Sequence, residues 1–202
     1  MGKMFDMKDK LLSTVVLVFL LSLFYSILRY NIFKGVDWVD FPTYVLNKAL
    51  SLSILILFAL THYHRNRAHS KSSALIQEFA ILFAVLHILL SFLVFSPHYF
   101  PDFFDDSKLS LTGNLSMFFG VLAIGILLAL TDKKSFKELS FTISNKKNIA
   151  SMLFLAISMH VLIMGFNGWI KPHTWPGNLP PITLVAFIVA AMTVFLIRKR
   201  NS

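Results

Sequence analysis

The chain has 202 residues, of which 56% are hydrophobic and 14% charged, with a mean hydropathy of +0.69 and a formal charge of +9. Such a composition lies outside the range of soluble globular domains and leaves no length for a separate soluble nucleotide-binding or catalytic domain. Cysteine is absent, which excludes disulfides, thiol nucleophiles, iron–sulfur clusters, thiolate-held zinc and covalent c-type haem attachment.

The N-terminal MGKMFDMKDK leads directly into an apolar run from Leu11 to Leu28. That run is long for a signal-peptide core, and Arg29, Tyr30 and Asn31 follow it rather than a small-residue cleavage site. It therefore reads as a retained first helix. Further apolar runs follow at about 44–60, 74–96, 111–131, 149–166 and 182–197, each near the roughly 20 residues that cross the hydrocarbon at 1.5 Å per residue. The expected fold class is an all-α membrane protein, a six-transmembrane-helix bundle forming one domain over residues 1–202. In the second run Asn47 and Lys48 stand near the start, where they are expected at the interface. No internal repeat or low-complexity segment divides the chain.

Lys and Arg in the short loops set the expected orientation. Lys3, Lys8, Lys10, Arg65, Arg67, Lys71, Lys133, Lys134, Lys137, Lys146, Lys147, Arg198, Lys199 and Arg200 fall on one side; Lys34, Lys108 and Lys171 fall in loops on the other, with Arg29 and Lys48 at helix ends there. This asymmetry predicts both termini in the cytoplasm of a multi-pass protein of a bacterial-type inner membrane. It also explains the positive charge by topology and membrane lipid, so no nucleic-acid partner is expected. The outer connections carry Asp37, Asp40, Asp102, Asp105 and Asp106, a belt of aromatics including Trp38, Tyr44, Trp169 and Trp175, and all seven prolines; the prolines end helices and stiffen turns.

Seven histidines are present. His62, His64 and His69 lie in or beside the basic loop THYHRNRAHS, where a solvated cytoplasmic surface explains them. His98 and His173 follow prolines in the outer loops, with no recognisable ligand motif around them. His87 and His160 differ, because their neighbours are apolar on every side. An ionisable group at membrane depth points by default to function. Counted from Ser73 and Asn148, the two lie roughly 18–21 Å into the membrane, and both helices run from inside to outside, so they share a level.

Two readings of His87 and His160 follow. A bis-histidine haem b needs two neutral imidazoles from facing helices. Alternatively each imidazole bonds a backbone carbonyl or a hydroxyl such as Ser91 or Ser158 across a helix interface. A transition metal on two histidines alone would be under-ligated. Haem propionates would point outward, where Arg29, Lys48, Lys108 and Lys171 are the available cations. Lys48 is the preferred contact, and a snorkelling lysine is the alternative. Thr112, Gly113, Ser116, Gly120 and Gly125 in the fourth helix could leave room for a ring or allow close helix packing.

The order and spacing of LNKAL, the His87 helix with SPHYFPDFF, KLSLTGNLSMFFGVLAIG, the His160 helix and WPGNLPPI resemble the ferric reductase-like transmembrane domain. That family includes ferric reductases, NADPH oxidase cores and the membrane subunits of bacterial methionine-sulfoxide reductase systems. The resemblance covers about residues 44–197 and implies His87 and His160 as axial ligands of haem iron. Two-haem members place an inner ligand about 13 or 14 residues, roughly four helical turns, before each outer one. Ser73 and Lys147 occupy those positions, so one haem is implied. Larger members continue into FAD- and NADPH-binding domains; this chain stops at Ser202, so a separate flavoprotein, flavin or quinol is the expected electron donor, and an acceptor works at the outer face. The resemblance thus implies an oxidoreductase subunit that needs partner proteins or small molecules. A small transporter or channel passing protons or metal through His87 and His160, or an assembly subunit, are the alternatives.

Overall fold

A computed structural model describes residues 2–65, 70–106, 108–131 and 146–199. Without water to satisfy it, an apolar backbone must satisfy its own N–H and C=O groups, and a helix does so within one segment. The long apolar runs are helices accordingly: α1 (Gly2–Ser26), α2 (Leu46–Arg65), α3 (Ser70–Val94), α4 (Leu111–Thr131), α5 (Lys146–Trp169) and α6 (Ile182–Lys199). Six helical segments are long and apolar enough to cross a membrane: Asp9–Phe33, Trp38–Tyr63, Ala74–Val94, Leu111–Leu130, Asn148–Trp169 and Pro176–Lys199. Large apolar side chains such as Leu21, Phe24, Phe92, Leu93, Phe118, Leu128, Met192 and Phe195 are exposed along them, consistent with helices apolar enough to cross a membrane.

Two of these segments start or end differently from expectation. The first span extends α1 through a π-helical segment, Ile27–Phe33, closed by the Lys34 N–H donating to the Arg29 carbonyl at 3.1 Å. The second begins at Trp38 and passes through a 3₁₀ turn, Trp38–Asp40, and a π segment, Phe41–Val45, before α2. Arg29, Asn47 and Lys48 therefore lie within helical segments that run on beyond the expected bounds. Pro42 is tolerated because it stands in the first turn of its segment, where its missing N–H is not required. The residues Arg67, Lys133, Lys134, Lys137 and Arg200 of the expected cytoplasmic face, and His69, lie outside the described residues, as do the side chains of His64, Ser73 and Lys147.

The described chain forms two compact units. The first comprises Met1–Ser96 and Pro172–Ile182. Its centre is α2, which packs on α1 and α3; Ala49 and Leu57 of α2 and Ile76 and Ala80 of α3 are fully buried. A strap, residues 177–180, is fastened to a stripe at intervals of four along the end of the first span. The Tyr25 hydroxyl donates to the Pro180 carbonyl at 2.5 Å, the Arg29 guanidinium donates to the Leu179 carbonyl, and the Phe33 ring lies against Gly177.

The second unit comprises Pro97–Lys171 and Thr183–Ser202. Here α4 and α5 pack through Ile126, Ile149, Leu153 and Ala156. A short antiparallel pair, β1 (Phe104–Asp105) and β2 (Lys108–Leu109), precedes α4. Ser110 caps α4 by accepting the Gly113 N–H at 3.1 Å, which satisfies one of the orphan donors of the first turn. The Trp169 indole donates to Thr183 Oγ1 at 2.9 Å and packs on Phe187 with centroids 5.1 Å apart, tying α5 to α6.

Gly177 sits at φ +59°, and a Cβ there would overlap the Phe33 ring; Gly35, at φ +72°, faces open space. Both positions favour glycine for its backbone, but only one also needs the missing side chain. Gly177→Ala should cost about 1–3 kcal/mol more than Gly35→Ala through overpacking, read as the difference in thermal unfolding midpoint in detergent. Equal losses would mean that the strap gives way at no cost.

Candidate functional site

His87 lies on α3 in the first unit and is half-buried. Its Nδ1 is 2.5 Å from Asn47 Oδ1 on α2. An amide oxygen can only accept, so Nδ1 carries the proton and donates. The amide nitrogen of Asn47 in turn donates to Ser91 Oγ on α3 at 3.2 Å. Ser91 is one helical turn beyond His87, so a single asparagine, itself 3% exposed, bridges two polar groups on one face of α3.

His160 lies on α5 in the second unit, again half-buried. Its Nδ1 donates to the Ser116 carbonyl on α4 at 2.8 Å, with Ser116 Oγ at 3.2 Å. Ser116 is 2% exposed. A helical carbonyl has a second lone pair, so it can accept the imidazole proton while keeping its own helical bond. Gly120, one turn further along α4, makes room for the ring: a Cβ there would stand 3.3 Å from His160 Nδ1 and 3.4 Å from Cε1. Of the small residues in α4, Gly120 thus has a defined task, whereas Gly125 faces open space.

Both imidazoles consequently carry a proton on Nδ1, and in the neutral ring that places the lone pair on Nε2. Fixing one ring nitrogen by a hydrogen bond to oxygen is how proteins orient a histidine that ligates metal through the other. The expected hydroxyl partners are placed differently from the sequence reading. Ser91 reaches His87 only through Asn47, and Ser158 donates to the Phe154 carbonyl of its own helix at 2.8 Å. Asn47, expected at the interface, is buried within the protein, and its helical segment starts earlier than expected, at Trp38. The signal available in the sequence was a strongly polar amide within an apolar run.

Lys48 follows Asn47 on α2, and its Nζ stands 4.9 Å from the centroid of the Tyr44 ring, a cation–π distance. Of the other cations considered for this face, Arg29 is buried at 7% exposure, while Lys108 and Lys171 are exposed and belong to the second unit. His62 is half-buried on α2; His98 is exposed with its ring edge-on to Tyr99 at 4.8 Å; His173 is exposed in the turn Pro172–Thr174.

Comparison with protein-family models, with curated proteins and with solved structures yields no match to this chain.

The two imidazole bonds differ in what a side-chain substitution can remove. Asn47→Leu takes away the amide oxygen that accepts from His87 Nδ1–H and should cost about 1–3 kcal/mol, the penalty for removing one partner of a largely buried polar pair. Ser116→Ala leaves the carbonyl that accepts from His160 and should cost less than about 1 kcal/mol. Thermal unfolding of the two variants in the same detergent checks the ordering.

Proposed function

We propose that the chain is a membrane-embedded b-type cytochrome of the ferric reductase-like kind, an oxidoreductase subunit with one haem b whose iron is ligated by His87 and His160. The observation that carries this reading is the shared tautomer: two imidazoles in apolar helices, each with Nδ1–H donated to an oxygen and hence with a basic Nε2. That donor chemistry fits a bis-histidine haem, in which both ligands must be neutral.

In this reading the protein binds, orients and excludes water, and the haem iron supplies the one-electron redox change. Asn47 and the Ser116 carbonyl hold the two rings against rotation and raise the basicity of the ligating nitrogens. Gly120 keeps the His160 ring close to α4. The ammonium of Lys48, one residue from Asn47, is the proposed counter-charge for a propionate, steadied by the Tyr44 ring.

Direction and partners follow from the loop charges and the family resemblance. Both termini are assigned to the cytoplasm of a bacterial-type inner membrane. A cytoplasmic flavin or quinol is the proposed donor, and an acceptor at the outer face completes the path, each delivered by separate proteins or small molecules. The basic cytoplasmic side suits an acidic or phosphate-bearing donor.

Expression with adequate haem should give a protein with a Soret band and a low-spin reduced spectrum after dithionite. His87→Ala or His160→Ala should abolish that low-spin spectrum while the protein still inserts into the membrane. A wild-type protein without a Soret band overturns the reading and favours histidines that only bond helix to helix.

A further inference from the structure

The outer end of the first unit gathers positive charge in a way that the haem reading does not use. Two π segments, Ile27–Phe33 and Phe41–Val45, meet here, and their tyrosines Tyr30 and Tyr44 pack edge-to-face with centroids 5.7 Å apart. Three cations surround this pair. The Arg29 guanidinium is 5.8 Å from the Tyr30 centroid, and the Lys34 ammonium is 5.9 Å from Tyr30 and 6.0 Å from Tyr44. Lys48 stands 4.9 Å from Tyr44. Aromatic faces attract cations but carry no net charge, so they do not neutralise Arg29 and Lys34.

Arg29 fixes part of this positive charge in place. Arg29 is 93% buried, anchored to the Leu179 carbonyl, and its Nε has no hydrogen-bond partner. Lys34 is exposed, yet its ammonium is held below the ordinary lysine range, first by desolvation and then by the Arg29 charge. An oxyanion brought to Lys34 would offset both effects.

Position identifies the source of that oxyanion. The first span ends at Phe33 and the second begins at Trp38, so Lys34 stands where hydrocarbon gives way to headgroups, the depth of lipid phosphates. Apolar side chains beside it are exposed: Ile32, Phe33, Trp38 and Val39, at 56%, 51%, 61% and 81%. Free phosphate would use only the cations; a phospholipid uses the cations and the apolar rim together.

We propose that this end of the first unit binds the phosphate of an anionic phospholipid headgroup, with Lys34 as the contacting charge, Arg29 as a fixed neighbouring charge, and Ile32, Phe33, Trp38 and Val39 against the acyl chains. The site does not depend on haem. Lys48 extends the positive potential toward the interior of the unit and keeps its role above.

The test uses the full chain, purified and delipidated in detergent. Phosphatidylglycerol, phosphatidylcholine and inorganic phosphate are titrated separately, with the unfolding midpoint and the number of lipids retained in native mass spectrometry as readouts. Phosphatidylglycerol should raise the midpoint and remain bound, phosphatidylcholine should do so much less, and inorganic phosphate should leave the midpoint unchanged. Lys34→Gln, an exposed position that cannot disturb the core, should weaken phosphatidylglycerol binding about five-fold, the usual weight of one basic residue at an anionic surface. Lys108→Gln, an exposed lysine of the second unit, should leave it unchanged. Arg29→Gln should weaken binding further if the variant folds, and Lys34→Gln decides the matter if it does not. Equal response to both lipids, equal loss in the Lys34 and Lys108 variants, or stabilisation by inorganic phosphate alone would each overturn the proposal.

Discussion

A polar atom packed among apolar helices has little but the protein itself to bond to, and that constraint accounts for most of what is specific in this chain. Hydroxyls within the helices bond a carbonyl one turn back: Ser26 to Ser22, Ser53 to Ala49, Thr61 to Leu57, Ser158 to Phe154 and Thr193 to Val189. Groups too large or too polar for this local solution reach another segment, as Asn47, His87, His160, Arg29 and Tyr25 do. Among the described residues, the buried side-chain atoms without a partner are Ser22 Oγ, Arg29 Nε and Asn31 Oδ1. All three lie on the first span, near the region where its helix changes type.

The two histidines solve the same problem with different materials. His87 depends on a side chain from another helix, which itself depends on a serine one turn beyond the histidine. His160 depends on a backbone carbonyl that every residue at position 116 would supply, with glycine at 120 making the approach possible. The first arrangement can be retuned by altering an amide; the second is written into the path of α4. Two imidazoles held in this way can differ in how firmly they are fixed although both present the same nitrogen.

Much of this was legible in the sequence. Hydropathy over about twenty residues locates the six spans, because length and apolarity are summed over many side chains. The ends were less legible, since a π turn differs from an α turn by one residue and leaves little mark on composition; Arg29 and Asn47 were accordingly assigned to boundaries. His87 and His160 stood out because everything around them is apolar. Their partners did not: Asn47 is 40 residues from His87 and Ser116 is 44 from His160, and nothing local distinguishes Ser116 from Ser158. Which serine faces a histidine is decided by how two helices pack, and single-sequence periodicity does not encode that.

The strap along the first span has one more consequence. Tyr25, Arg29 and Phe33 grip residues 180, 179 and 177 in reverse order, so residues far apart in the chain are zipped against the end of the first helix. Chain synthesis produces that helix first and its fastener some 150 residues later. Until the segment WPGNLPP emerges, the buried guanidinium of Arg29 lacks the carbonyl that receives it. The first unit is therefore completed only when its last piece arrives, some 150 residues after the helix it fastens.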